Sequence, residues 1–414
     1  MSTDPISTDP TNTDPINTDN TTVGPAAFER LRQSCGTGGP AAMFADLAAS
    51  LAARGRWHAL FDLRLLEARH SLGLPPSGDL AALALPPDVR AQLDERSLAA
   101  CQEVGWPLLA AGQVAAGWMY LRAAAQPADV AARLATLAEE TLAEEKVTDE
   151  LSAGAADDEE ATRRLQEIVG VALWEGVDPA LGLSIVLRTQ GTCNGITAYE
   201  QAVSRLPACR QEPAAAVLVA HLHGEIARAG GFAEPGLHCD VSHLQSVLRL
   251  ARVCTTEPAL RQAWELASYA CRLPPDVVYP GEPPFENVAE ASRLWYAAQI
   301  GRDVDEAVAY FRRAFLIADP QDSGTLPCDA LVVLLARLGR PGEALRVALE
   351  RPRDDGMPSG MQALGMMPSL VDLAAASGDW ESLRRACIDR GDEITFAATL
   401  AAESRQRATG SATR

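Results

Sequence analysis

The chain has 414 residues, a formal charge of −19, a pI near 4.8, 47% hydrophobic residues and only 5% aromatic ones. An acidic surface repels phosphate backbones and anionic headgroups, which argues against nucleic-acid and membrane-surface partners. Nine scattered cysteines without a C-x-x-C pair give no disulfide framework. No charged-then-apolar leader opens the chain and no apolar run reaches the roughly 20 residues that span a bilayer, so a cytoplasmic protein is expected.

Residues 2–20 repeat a Ser/Thr-Asp-Pro motif almost without apolar side chains, and 1–25 is expected to be a disordered tail because it cannot bury enough surface to offset its ordering entropy. A helical-pair region then covers 26–150. Its first pair, 43–73, breaks at Gly55, with Leu47, Leu51, Leu60, Leu63 and Leu66 as core candidates. Pro86-Pro87 opens a helix bearing Val89, Leu93, Leu98 and Val104, and Pro107 is expected to begin another. Around Gly112 the helix–glycine–helix theme recurs, with Gly117, Leu121 and Ala124 on one face. Acidic pairs between Glu139 and Glu160, interrupted at 152–155, place a domain boundary near residue 150.

The middle region, 151–284, carries the unusual residues. A polar stretch at 191–195 reads as an Asn-Gly turn; Cys193 in it has the place of a nucleophile at a helix start, but no base is fixed beside it. Four of the six histidines lie between 221 and 243. His221, Glu225, His238, Asp240 and His243 are the candidate ligands of one divalent transition metal, zinc or iron, because neutral imidazole with carboxylate is the donor set those ions take. His223 projects from the opposite side of the helix that carries His221 and Glu225. The bland alternative is that these are ordinary hydrogen-bonded core histidines and no cofactor is bound. A proline-rich connector, 274–285, follows, in which Tyr279 and Phe285 are aromatic candidates for partner contact.

The clearest element spans 287–320. Leu294, Ala297, Ala298 and Gly301 hold helical spacing before a turn, and Val304, Ala307, Val308, Phe311, Ala314 and Phe315 hold it after. Two facing amphipathic stripes must cover each other. Asn287 with Glu290 has the spacing of a cap, and Gly301, Gly339 and Gly378 mark three such units at a period near 40. Residues 285–390 resemble the tetratricopeptide repeat, whose second helix carries small, aromatic and small side chains where Ala307, Phe311 and Ala314 stand; unlike the family, no tryptophan stands four residues into the first helix, and the closing Pro320 comes one residue late. The resemblance implies recognition of a protein or peptide segment in a groove lined by first-helix polar residues, for which Arg293 and Gln299 are the candidates. The expected architecture is therefore all-α, with antiparallel helix-pair repeats in an α-solenoid-like array, repeats over 285–402 and a disordered tail at 403–414. Its function is that of an interaction scaffold, against the alternative of a metal-dependent enzyme built on 221–243. No phosphate-binding loop or G-x-S-x-G motif is present.

Overall fold

A computed structural model describes residues 24–78, 84–151, 155–233, 236–278, 280–351 and 365–412. The tail repeat at 2–20 and Tyr279 therefore lie outside the described residues. Among those described, every regular element is a helix and no strand occurs. No helix among them is long and apolar enough to cross a membrane. The chain divides into two compact units between Ala125 and Gln126.

The first unit contains α1 (Pro25–Ala53), α2 (Trp57–Ser71), α3 (Pro87–Ala110) and α4 (Val114–Ala124). Its core joins Phe44, Leu51, Leu60, Leu63, Val104, Leu108 and Tyr120, with Leu47 and Leu66 packed against them half-buried. Leu98, in contrast, is exposed. α3 continues through Pro107 instead of starting there. Proline removes one N–H and crowds the carbonyl four residues back, and so near the end of a helix only the last turn bears that penalty. α3 and α4 approach closely enough to require glycine: a Cβ at Gly117 would stand 2.9 Å from the Leu109 nitrogen and 3.0 Å from the Gly105 oxygen.

The second unit begins with α5 (Pro127–Leu151) and α6 (Ala155–Val169), which hold the acidic stretch. A π-helical turn, Gly170–Trp174, leads to α7 (Pro179–Ala198), and a second one, Tyr199–Val203, follows it. The expected polar loop at 191–195 is reduced to one residue. Gly191, at φ 81°, joins two helical halves of α7, and Thr192 to Ala198 are already helical. Cys193 is exposed on the second half. Then come α8 (Ala208–Arg228), α9 (Val241–Leu250), a 3-10 turn at Ala251–Val253 and α10 (Glu257–Ala270).

After the connector the unit continues as α11 (Val288–Gln299), α12 (Val304–Ile317), the short α13 (Pro320–Ser323), α14 (Leu326–Arg337) and α15 (Pro341–Leu349), and then α16 (Leu370–Ser377), α17 (Trp380–Arg390) and α18 (Glu393–Ala412). Asn287 caps α11, its side chain accepting from the Glu290 N–H at 3.0 Å. At the end of α11 the Gly301 N–H donates to the Ala298 carbonyl and the Arg302 N–H to Ala297, at 3.1 and 2.8 Å. This paired closure needs a left-handed residue, and Gly301 supplies it at φ 77°. The same two bonds close α14 at Gly339, α1 at Gly55 and α3 at Gly112. Along the chain, α10 packs on α11, α11 on α12, α12 on α14, α14 on α15, and α15 on α16. α18 extends beyond the expected limit at 402, because Glu403 pairs with Arg384 of α17 and the Gln406 amide donates to the Ala375 carbonyl of α16.

Candidate functional site

The histidine-rich stretch places its residues on three elements. His221 and Glu225 stand one turn apart on α8, with Nε2 and Oε1 3.3 Å apart. Both reach Thr192 across from α7: its hydroxyl donates to Glu225 Oε2 at 2.9 Å and lies 3.2 Å from His221 Nε2. His223, two residues on, leaves the helix in another direction and meets Glu265 of α10, Nε2 to Oε2 2.6 Å, with its ring against Phe232. His238 sits in the loop before α9, its backbone N–H donating to the Tyr269 hydroxyl at 2.7 Å while its Nε2 is buried without a partner. Asp240 caps α9, accepting from the Ser242 N–H at 2.7 Å and hydroxyl at 2.6 Å. Those serine bonds hold its carboxyl below the ordinary aspartate range. His243 lies within α9, half-buried. Burial pushes the neighbouring Cys239 thiol up to about 11. Among the described residues, no group of three or more His, Cys, Asp or Glu side chains is placed to hold a metal ion. Helix periodicity separates His221 from His223, and capping engages Asp240.

A cavity of about 290 Å³ lies elsewhere in the second unit, where the connector meets α11, α12 and α14. The connector is shaped by a tight loop in which the Gly281 N–H donates to the Glu286 carbonyl at 2.9 Å. A Cβ at Gly281 would fall 2.1 Å from the Phe285 oxygen, so the loop admits only glycine there. It contains a cis Pro283–Pro284 bond and is tied to α13 by the Ser323 hydroxyl, which donates to the Pro283 carbonyl at 3.1 Å. Phe285 is thereby held against Phe311, which also meets Trp295 edge-on; both ring pairs have centroids 5.7 Å apart.

The polar lining of this cavity is short of partners. Ser292 and Trp295, on α11, are only 3% and 2% exposed, yet Ser292 Oγ and Trp295 Nε1 make no hydrogen bond with the protein. Arg252, from the 3-10 turn, also lines it. Its guanidinium has no acidic partner among the described residues; burial draws it below the ordinary arginine range, Tyr296 opposes that effect and Arg249 adds to it. Glu282 and Asp322 line the cavity from exposed positions. Arg337, whose guanidinium lies over the Trp295 ring, donates from Nη1 to the carbonyls of Arg252 and Cys254 at 2.8 and 3.0 Å and to Gln299 Oε1 at 2.9 Å. A larger depression of about 690 Å³ lies along α6 and α7, but its polar lining, Arg188 and Gln190 among it, is exposed.

Of the described residues expected to meet a partner, Phe285 lines the cavity, and Arg293 and Gln299 do not. Arg293 is held by Glu290 at 2.7 and 2.9 Å and by Asp303 at 3.1 Å, and the Glu290 carboxylate raises its guanidinium above the usual arginine range. Gln299 accepts from Arg337 and donates to the Trp295 carbonyl at 3.0 Å. Both side chains serve the packing of α11. Sequence reasoning missed Arg252, Ser292 and Trp295 as cavity residues. The one available signal was an arginine set between Ala251 and Val253-Cys254 in an otherwise apolar segment. In comparisons with known proteins, no family model, curated protein or solved structure matches the chain.

Proposed function

We propose that this chain is a helical-repeat protein that holds a protein or peptide segment, with the cavity at Phe285 as its recognition site. In this reading the pairs α11–α12, α14–α15 and α16–α17 are tetratricopeptide-like units stacked in an α-solenoid-like array. Support comes from the glycine closures between the paired helices and from the succession of neighbours that each helix packs against. The single observation that carries the binding role is the aromatic-walled cavity between the connector and the first of these pairs, which combines apolar walls with buried donors that lack partners. Against the metal-dependent alternative stands the engagement of His221, Glu225 and Asp240 by protein groups, while the candidate His238 keeps a buried Nε2 without a partner.

The test is selection of a random-sequence peptide display library on the wild-type chain and on Ala291→Leu. Ala291 lines the cavity, and leucine would fill part of it. Peptides enriched on the wild type should lose most of their binding to the variant, while the thermal midpoint stays unchanged. Peptides bound equally by both proteins would remove the cavity from recognition.

A further inference from the structure

The cavity is not merely apolar. It joins one guanidinium without an acidic partner, one hydroxyl and one indole N–H, both nearly inaccessible and unbonded, to walls formed by Phe285, Phe311 and Leu326. A buried donor left without an acceptor is costly, and a half-buried cation without a counter-charge is only partly compensated by solvent, so a ligand that supplies acceptors to both is stabilised here. All three are donors. They match an acceptor-only group, and the planar fork of arginine matches a carboxylate's two oxygens. The exposed Glu282 and Asp322 oppose a second negative charge towards solvent, which disfavours dianions.

We propose that the cavity binds a free monocarboxylate carried on an apolar or aromatic body, with the carboxylate on Arg252, Ser292 and Trp295 and the body between Phe285 and Phe311. Two sources share this chemistry, the C-terminal residue of a peptide and a free organic acid. The inference rests on reading the cavity as the recognition site. It adds that the recognised group is an anionic end and not an internal segment.

Calorimetric titration of the full chain decides it, with four probes: 3-phenylpropanoate, 3-phenylpropanamide, an N-acetylated pentapeptide ending in phenylalanine with a free carboxylate, and the same peptide amidated. At least one acid should bind, with its amide weaker by roughly tenfold to a hundredfold, the range for a hydrogen bond to a charged group. Arg252→Gln should reproduce that loss for the acid and leave the weak amide unchanged. Ser292→Ala, which removes only a hydroxyl, should weaken the acid about threefold to tenfold. Should Arg252→Gln fail to fold, the acid–amide comparison on the wild type and the Ser292 variant still decide. Binding of the acidic peptide but not the small acid assigns the carboxylate to a chain end, and the converse assigns it to a free acid and removes the peptide reading alone. Equal affinity of acid and amide peptides, lost in Ala291→Leu, overturns the carboxylate inference and leaves the peptide reading standing. No binding of either acid overturns the inference outright.

Discussion

Two polar regions of the second unit differ in whether their groups are satisfied. Around α8 the histidines and acids are numerous and close in sequence, and nearly all have partners: His221 and Glu225 share Thr192, His223 meets Glu265, and Asp240 caps a helix. His238 Nε2 is buried without one, and His243 is half-buried on α9. Around the cavity the polar groups are few and come from separate segments; Ser292 Oγ and Trp295 Nε1 lack protein partners, and Arg252 has no acidic partner among the described residues. A folded chain completes its internal polar groups with one another wherever it can. In the reading proposed above, unspent hydrogen-bonding capacity beside an open cavity, and not a local abundance of ligating residue types, marks the binding region.

The contrast is sharpest on α14, beside the cavity. Asp329 is fully buried, with Arg351 Nε 2.7 Å from its Oδ1 and the Thr325 hydroxyl donating to Oδ2 at 2.9 Å. Removing one member of such a pair strands the other, so Asp329→Ala should lower stability by about 3–5 kcal/mol in urea unfolding. A loss below about 1 kcal/mol would show that satisfied charges here are not structural, and the comparison would fail at its stronger end. A smaller effect is expected in the histidine region. Thr192→Val keeps the volume but deprives Glu225 of a donor and leaves His221 beside it; the expected loss is about 1–2 kcal/mol. If zinc chloride raised the thermal midpoint of wild type but not of a His221→Ala variant, the histidine region would be a ligand site after all.

How much of this was legible in the sequence follows from the range of the interactions involved. Gly55, Gly112 and Gly301 are readable because a helix closure depends on one residue and its immediate neighbours. Asn287 is readable as a cap for the same reason. Pro107 and 191–195 were misread because local punctuation competes with packing: α3 runs through the proline, and the polar stretch collapses to a kink at Gly191. Arg293 and Gln299 were placed on the right helix, but which side chains its neighbours engage is decided by Glu290, Asp303 and Arg337. The cavity was out of reach, since Arg252, Phe285 and Leu326 meet only once the second unit has folded.

The smallest expected change in stability is also the most discriminating. Arg252→Leu exchanges a half-buried cation, which has no acidic partner among the described residues, for a side chain that suits apolar walls. Replacing a half-buried, unpaired charge by a hydrophobic residue relieves partial desolvation without breaking an ion pair, so the unfolding free energy should stay within about 0.5 kcal/mol of wild type or rise. The backbone carbonyl of residue 252 still accepts from Arg337, so that anchor survives the substitution. Retained stability in urea unfolding together with lost acid binding would identify Arg252 as a residue kept for a ligand. A loss of more than about 2 kcal/mol would mean that its guanidinium supports the fold, and the two regions would then differ in degree and not in kind.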